Sequence, residues 1–237
     1  MSFFDQSGFE LRCEWGPQGV KALAPGSDVV IIVDILSFST CVEIAVSRGA
    51  IVFPFRFKDE RAADFAREKD ALLAGKRDEP GGFSLSPMSL LSLPGNARLV
   101  LPSPNGATLS LLTGGVLTLA GCLRNARAVA DAAQRFGPRV SLIPAGERWE
   151  TDGSLRPALE DLIGAGAILA RLSGTRSPDA ELAVASYERA KADLPGFLRA
   201  CASGRELIER GFPEDVELSA QENVSDAVPI LREGAYV

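Results

Sequence analysis

Residues 28–46 read DVVIIVDILSFSTCVEIAV. The first eight form a short apolar run rich in β-branched residues, which reads as a buried strand. Phe38, Cys41, Val42, Ala45 and Val46 then recur at helical spacing, so a helix follows the strand directly. Outward from this unit the alternation continues. Residues 50–55 make a second strand and lead into KDERAADFAREKDALLAG at 58–75, where Ala62, Phe65, Ala66, Leu72 and Leu73 share a helical face. Asp59 can cap that helix and Gly75 can end it. Residues 98–102, 116–120 and 139–145 are further strands, whereas residues 76–97, dense in Gly, Pro and Ser, form a long loop of the kind that often serves binding. From Pro157 the chain is helical over 158–172, 180–193, 195–211 and 214–222, before a short VPIL strand at 228–231. Alternating strands and helices argue for a mainly parallel sheet covered on both faces. No repeat or linker divides the chain, which predicts one domain over residues 1–237 with its helical C-terminal third packed on the sheet.

The chain of 237 residues has 25 Lys plus Arg, 31 Asp plus Glu, a net charge of −6 and no histidine. Without imidazole there is no Ser-His-Asp or Cys-His nucleophile system, no phosphohistidine and no His-ligated zinc or haem. The acidic balance argues against a nucleic-acid or anionic-membrane surface, which needs clustered Lys and Arg. The start, MSFFDQSGFELRCEW, has no basic segment followed by an apolar one, and no run of about eighteen apolar residues occurs. The expectation is a cytoplasmic protein with neither nucleic-acid nor membrane partner; a homo-oligomer is compatible with this composition. Cys13, Cys41, Cys122 and Cys201 form no C-x-x-C pair and read as buried free thiols.

Open α/β sheets bind ligands beyond the carboxyl ends of their strands. Four loops there are rich in polar residues: DILSFST at 34–40, SPNGAT at 103–108, GCLRNA at 121–126 and GERWE at 146–150. Asp34 ends an apolar strand and can hold a magnesium ion or bond nearby amides. Ser39 and Thr40 can meet a phosphate or cap the helix. Ser103-Pro104-Asn105-Gly106 is a strong turn signal, and its amides together with the Asn105 side chain can face an anion. Arg124 and Asn125 precede a helix at Ala126, where guanidinium and helix amides can meet one phosphate, or the arginine can pair with a carboxylate. Glu147 and Arg148 carry the same two readings. In LRPALEDLIGAGAIL at 155–169, Arg156 and Glu160 stand four apart and face each other on a helix, with Asp161 turned to an adjacent direction. Gly164 and Gly166 inside that apolar helix point to a close approach of another backbone. No G-x-G-x-x-G follows the first strand, which argues against a dinucleotide module.

Taken in order from about Val29 to Leu231, VDILSFST, SPNGAT, GCLRNARAVA, IPAGER, LRPALEDLIGAGAIL and CASGRELIERGFPEDVELSAQENVSDAVPIL resemble the 2-phosphosulfolactate phosphatase family, the ComB-like proteins. The resemblance implies a three-layer α/β/α fold with a mixed, mainly parallel sheet. It also implies an Mg2+-dependent acid phosphatase that hydrolyses (2R)-2-phospho-3-sulfolactate to 3-sulfolactate and phosphate, a step in coenzyme M biosynthesis. The roles that follow are catalytic for Asp34, Arg124, Glu147 and Arg148, substrate-binding for Ser39, Thr40, Ser103, Asn105, Gly106, Asn125 and Arg156, and metal-holding for Asp34, Glu147, Glu160 and Asp161. The attacking group is either water or the Asp34 carboxylate. The third position of the haloacid dehalogenase D-x-D motif is Leu36 here, which rejects that family.

Two departures fall in segments expected to touch substrate. The family pattern D-V-L-R is Asp34-Ile35-Leu36-Ser37 in this chain, and F-D-L-G-N-S-P is shortened to Phe83-Ser84-Leu85-Ser86-Pro87. They motivate two alternatives: a phosphatase for another small phosphorylated hydroxy acid, and a non-catalytic binding protein of the same fold.

Overall fold

In a computed structural model, which describes residues 3–79 and 81–237, the apolar run at 28–35 becomes strand β2 (Val29–Val33). Met1 and Ser2, part of the start read above, and Pro80, part of the long loop, lie outside the described residues. All five residues of β2 are buried, because the strand pairs in parallel with β6 (Leu117–Gly121) on one side and β7 (Val140–Pro144) on the other. A strand enclosed on both edges and both faces has no solvent side, hence an unbroken apolar run.

The nine-stranded sheet has the order β1 (Leu11–Cys13), β7, β2, β6, β10 (Ile230–Arg232), β11 (Ala235–Tyr236), β3 (Ile51–Phe55), β5 (Arg98–Pro102), β4 (Leu72–Leu73). Only β10 and β11 run antiparallel to their neighbours, so the sheet is mixed and mainly parallel. Val29, Ile31 and Val33 point to one face and pack on α6 (Ala126–Phe136), α7 (Leu159–Leu169) and α8 (Pro178–Ala190). Val30 and Ile32 point to the other face, toward α1 (Gly16–Leu23) and α5 (Gly106–Ser110). Val52, Leu99 and Ala120 join α2 (Phe38–Ser47) in a neighbouring cluster. The result is the three-layer α/β/α arrangement, with the helical C-terminal third joined to the sheet core through α7 and α8. Among the described residues no helix is long and apolar enough to cross a membrane.

Three readings are corrected. The helix expected over 58–75 stops early: α3 spans Glu60–Glu68, the backbone turns at Asp70 (φ 48), and Leu72 and Leu73 pair with Leu99 and Val100 as edge strand β4. Strand pairing outweighs the helical spacing of those two leucines. Residues 195–211 form two helices, α9 (Leu194–Ala200) and α10 (Ala202–Glu209), because Cys201 is extended and its Sγ caps α10 by accepting from Gly204 N at 3.4 Å. Arg156 lies not on a helix but in the two-residue strand β9 (Leu155–Arg156), paired with β8 (Glu147–Arg148), so it does not face Glu160 across a helical turn. The remaining elements include α4 (Pro87–Leu90), within the long loop, and α11 (Pro213–Ser219).

Gly166 does meet a second backbone: a Cβ there would sit 2.0 Å from the Ala183 carbonyl oxygen on α8, and at Gly164 it would sit 2.5 Å from Ile35. Replacing Gly166→Ala is expected to lower unfolding stability by about 1–3 kcal/mol, the usual cost of overpacking. Gly8→Ala, which meets nothing within 4 Å, is the matched control. Equal urea midpoints for the two variants would show that α7 and α8 are not in close contact.

Candidate active site

Strands β2, β3, β5 and β7 end at a single cleft of about 680 Å³, lined by Asp34 after β2, Lys58 after β3, Ser103 and Asn105 after β5 and Glu147 after β7. The segment of residues 73–79, helix α10 through Ser203 and Arg210 just after that helix supply the outer walls.

Asp34 is buried at the floor. Its Oδ1 accepts from the Phe38 amide at 3.0 Å and its Oδ2 from the Gly106 amide at 2.9 Å, so the starts of α2 and α5 both point N–H groups at one carboxylate. Gly106 is required by that approach, since a Cβ would lie 2.3 Å from the Phe38 ring and 2.7 Å from Asp34 Oδ2. Ser39 accepts from Asp34 N and donates to the Ile32 carbonyl, both at 3.0 Å, while Thr40 donates to the Ile35 carbonyl at 2.8 Å. These two hydroxyls shape the loop from within. The Leu36–Ser37 peptide bond in the same loop is cis.

The β8–β9 hairpin brings Glu147 into the cleft, where Asn105 Nδ2 donates to its Oε2 at 2.9 Å. Neighbouring strand residues point to opposite faces, so Arg148 turns outward and donates to the Gly153 carbonyl at 3.1 Å. Asp161 fastens the floor: it accepts from Ile35 N at 2.7 Å and from Gly146 N at 2.9 Å, tying the loop that carries Asp34 to the loop that carries Glu147. Glu160 is buried, and its charge acts on the nearby Cys201 thiol.

Four carboxyl groups are thereby crowded together. Burial pushes Asp34 up to about 6; its two amide donors and Lys58 oppose that rise, and Glu160 adds to it. Burial, followed by the charge of Asp34, pushes Glu147 up to about 7. Asp161 lies well above the ordinary range, again through burial first and then Asp34 and Glu160. All four cysteines are buried and free, and burial raises the Cys122 and Cys201 thiols to about 12, so neither offers a thiolate near neutral pH.

Arg124 does not line the cleft. Its Nε donates to Glu43 Oε2 at 2.6 Å and its Nη1 to Gln221, which joins α2 to the segment after α11. Asn125 is fully buried: it accepts from Cys122 N at 2.9 Å and donates to the Ala120 and Ala227 carbonyls at 3.3 and 3.1 Å. Arg156 stands opposite Glu147 in the hairpin register and donates to Ser203 Oγ at 3.3 Å. Of the residues expected at the site, Asp34, Ser103, Asn105 and Glu147 meet in the cleft, with Gly106, Ser39, Thr40, Glu160 and Asp161 behind them. Arg124, Asn125 and Arg148 are engaged elsewhere.

The basic residues that do line the cleft, Lys58, Lys76, Arg77 and Arg210, escaped the motif reading. Arg77 donates to Ser37 Oγ at 3.1 Å and to the Leu85 carbonyl, and its Nε lies 3.5 Å from Asp215 Oδ2. Its place in a loop without helical or strand period hid it. Lys58 had one legible signal, since it directly precedes the capping residue Asp59 just beyond a strand end.

No cluster of three or more metal-ligating side chains occurs among the described residues. Mg2+ nevertheless commonly uses only one or two carboxylates, with waters and substrate phosphate completing its shell. Asp34 and Glu147 fit that donor set, and Glu147 Oε1 makes no hydrogen bond among the described residues. Asp161 fits less well: both aspartates accept from two backbone amides, but Asp34 lines the cleft and Asp161 does not.

The model of the 2-phosphosulpholactate phosphatase family matches residues 17–234. The 2-phosphosulfolactate phosphatase of Methanothermobacter thermautotrophicus is 34% identical over 213 residues, covering 88% of this chain and 89% of that protein. The probable 2-phosphosulfolactate phosphatases of Carboxydothermus hydrogenoformans and Deinococcus radiodurans are 33% identical over 218 residues and 30% identical over 224 residues; the matches cover 88% and 87% of this chain and 89% of each relative.

The raised carboxyl groups have a consequence for stability. Glu147 binds its proton more tightly in the folded chain (about 7 against 4.5), and Asp34 does the same (about 6 against 3.8). Folding therefore takes up protons between these values, and in metal-free buffer the folded state should lose stability as pH rises from about 4 to 7, then level off. Melting temperatures across that range test this, and Glu147→Gln should flatten the upper part of the slope. Stability that rises over the same interval would contradict the burial of these charges.

Proposed function

Because the chain belongs to the 2-phosphosulfolactate phosphatase family, we propose that it hydrolyses 2-phospho-3-sulfolactate to 3-sulfolactate and phosphate with the help of Mg2+. The observation that carries this reading is the pair of cleft carboxylates, Asp34 and Glu147, each oriented by its own donors and each carrying a charge that burial makes costly. Asp34 and Glu147 would hold the ion. Bound there, Mg2+ supplies charge neutralisation for phosphate oxygens beside an otherwise acidic floor.

The protein's own groups do the positioning. The Ser103 hydroxyl lines the cleft and makes no hydrogen bond among the described residues, so it is free to donate to a phosphate oxygen. Asn105 holds Glu147 Oε2 and leaves Oε1 facing the cleft. Asp161 keeps the Asp34 and Glu147 loops in register, so its contribution is through other residues. Arg124, expected to act in catalysis, is held by Glu43 and Gln221, and we assign it to the joint between α2 and the C-terminal segment; Arg148 is exposed on the outer side of the hairpin, where it donates to the Gly153 carbonyl. The four unpaired thiols and the acidic composition support a cytoplasmic enzyme acting on a small phosphorylated acid and not on nucleic acid.

Ser37 favours a second reading, in which the same chemistry serves another phosphorylated hydroxy acid, since a neutral hydroxyl stands where the family pattern has an arginine. Phosphate release from phosphosulfolactate, phospholactate and phosphoglycerate separates the two; if phosphosulfolactate is the poorest of the three, the second reading holds.

Asp34→Asn should reduce Mg2+-dependent turnover by about a hundredfold or more, and the rise in melting temperature that Mg2+ is expected to give the parent protein should shrink with it. Equal turnover by parent and variant would remove Asp34 from the reaction.

A further inference from the structure

The cleft has two electrostatic halves. Its floor is acidic, and its outer wall carries Lys58, Lys76, Arg77 and Arg210. Arg210 has a partner of its own, donating to Glu206 at 3.2 Å. Arg77 is held in place by Ser37, Leu85 and Asp215, which fixes its guanidinium at the edge of the cleft, and its Nη1 makes no hydrogen bond among the described residues. Lys58 makes neither a hydrogen bond nor an ion pair among the described residues, although it is partly desolvated in the cleft wall. Burial and then the charge of Arg77 hold its ammonium below the ordinary value, while Glu147 and Asp34 act in the opposite sense. Two cations thus face one concave space, and neither spends its full donor set on the protein. Like charges placed together repel unless an anion enters between them.

We propose that Lys58 and Arg77 bind the oxyanion of the substrate that is not transferred, the acidic group on the departing hydroxy acid, and thereby select phosphate esters that carry a second negative charge. This rests on the phosphatase reading for its orientation: with the phosphoryl group against Asp34, Glu147 and Ser103, the rest of a small ester extends toward the wall that holds these two cations. Arg77 offers fixed donors of the kind suited to a planar or tetrahedral oxyanion, and Lys58 adds a mobile point charge. A neutral alkyl phosphate would leave Lys58 without a partner and Arg77 Nη1 without an acceptor.

The test compares three esters with Mg2+ present: phosphosulfolactate, with sulfonate and carboxylate; phospholactate, with carboxylate alone; and isopropyl phosphate, with neither. Lys58→Met preserves the length of the stem and removes the charge. The kcat/KM ratio of phosphosulfolactate to isopropyl phosphate should fall roughly tenfold to a hundredfold in the variant, the effect of losing one charge-assisted hydrogen bond, with the change expressed mainly in KM and partly recovered in Lys58→Arg. A fall in the phospholactate ratio of the same size assigns the pair to the carboxylate; a fall confined to phosphosulfolactate assigns it to the sulfonate. An unchanged ratio for both esters overturns the proposal. If the parent protein hydrolyses none of the three, the phosphatase reading fails, and thermal stabilisation by 3-sulfolactate decides the anion site separately. A shift present in the parent and lost in Lys58→Met supports the site. The same shift in both proteins, or none in the parent, overturns it.

Discussion

A carboxylate cannot be buried at the end of a central strand unless donors meet both of its oxygens. At Asp34 the donors are backbone amides, one from the start of α2 and one from the start of α5, and the rest of the site follows from that demand. Gly106 has no side chain because the carboxylate needs its amide at close range. Ser39 and Thr40 turn inward to satisfy the loop that carries Asp34, and Asp161 takes up the next free amide, that of Ile35, while reaching across to Gly146. One buried charge therefore organises parts of four strand-end loops or helix starts.

On the proposed reading, the crowding of acids would suit the floor of the cleft to a cation, with an anionic ester above it. Beyond the effect of burial, the charge of Glu160 raises the proton affinity of Asp34, and the charges of Asp34 and Glu160 raise those of Glu147 and Asp161. In water such charges would be screened, but in a half-enclosed cleft they interact more strongly. A bound divalent ion would relieve that repulsion, and the basic wall at Lys58 and Arg77 would complete the charge balance for a substrate with more than one acidic group.

Much of this was legible in the chain. The buried strand, the strand-helix alternation, the turn at Ser103-Pro104-Asn105-Gly106, the place of Asp34 at a strand end and the close packing at Gly164 and Gly166 follow from local residue chemistry. Less legible were features decided by distant partners. Leu72 and Leu73 keep helical spacing with Phe65 but pair as strand β4, because the edge of β5 offers them hydrogen bonds. Strands β1 and β11 span three and two residues, too short to show a period. Arg124 and Arg148 looked equivalent as loop arginines; only the position of Glu43 and the alternation of β8 showed that neither reaches the cleft. Arg77 stood in a segment with no period, and its meeting with Ser37 spans forty residues.

The central claim is that Asp34 and Glu147 form a pair of proton-retaining carboxylates that give up their protons to a divalent cation. Mg2+ titration by calorimetry at pH 6 and pH 8, in buffers of different ionisation enthalpy, measures this directly, because carboxylates must lose their protons to bind a metal. The account predicts net proton release on binding at pH 6 and little or none at pH 8, with the release reduced in Glu147→Gln. Binding without proton release at pH 6, or release unaffected by Glu147→Gln, would contradict it.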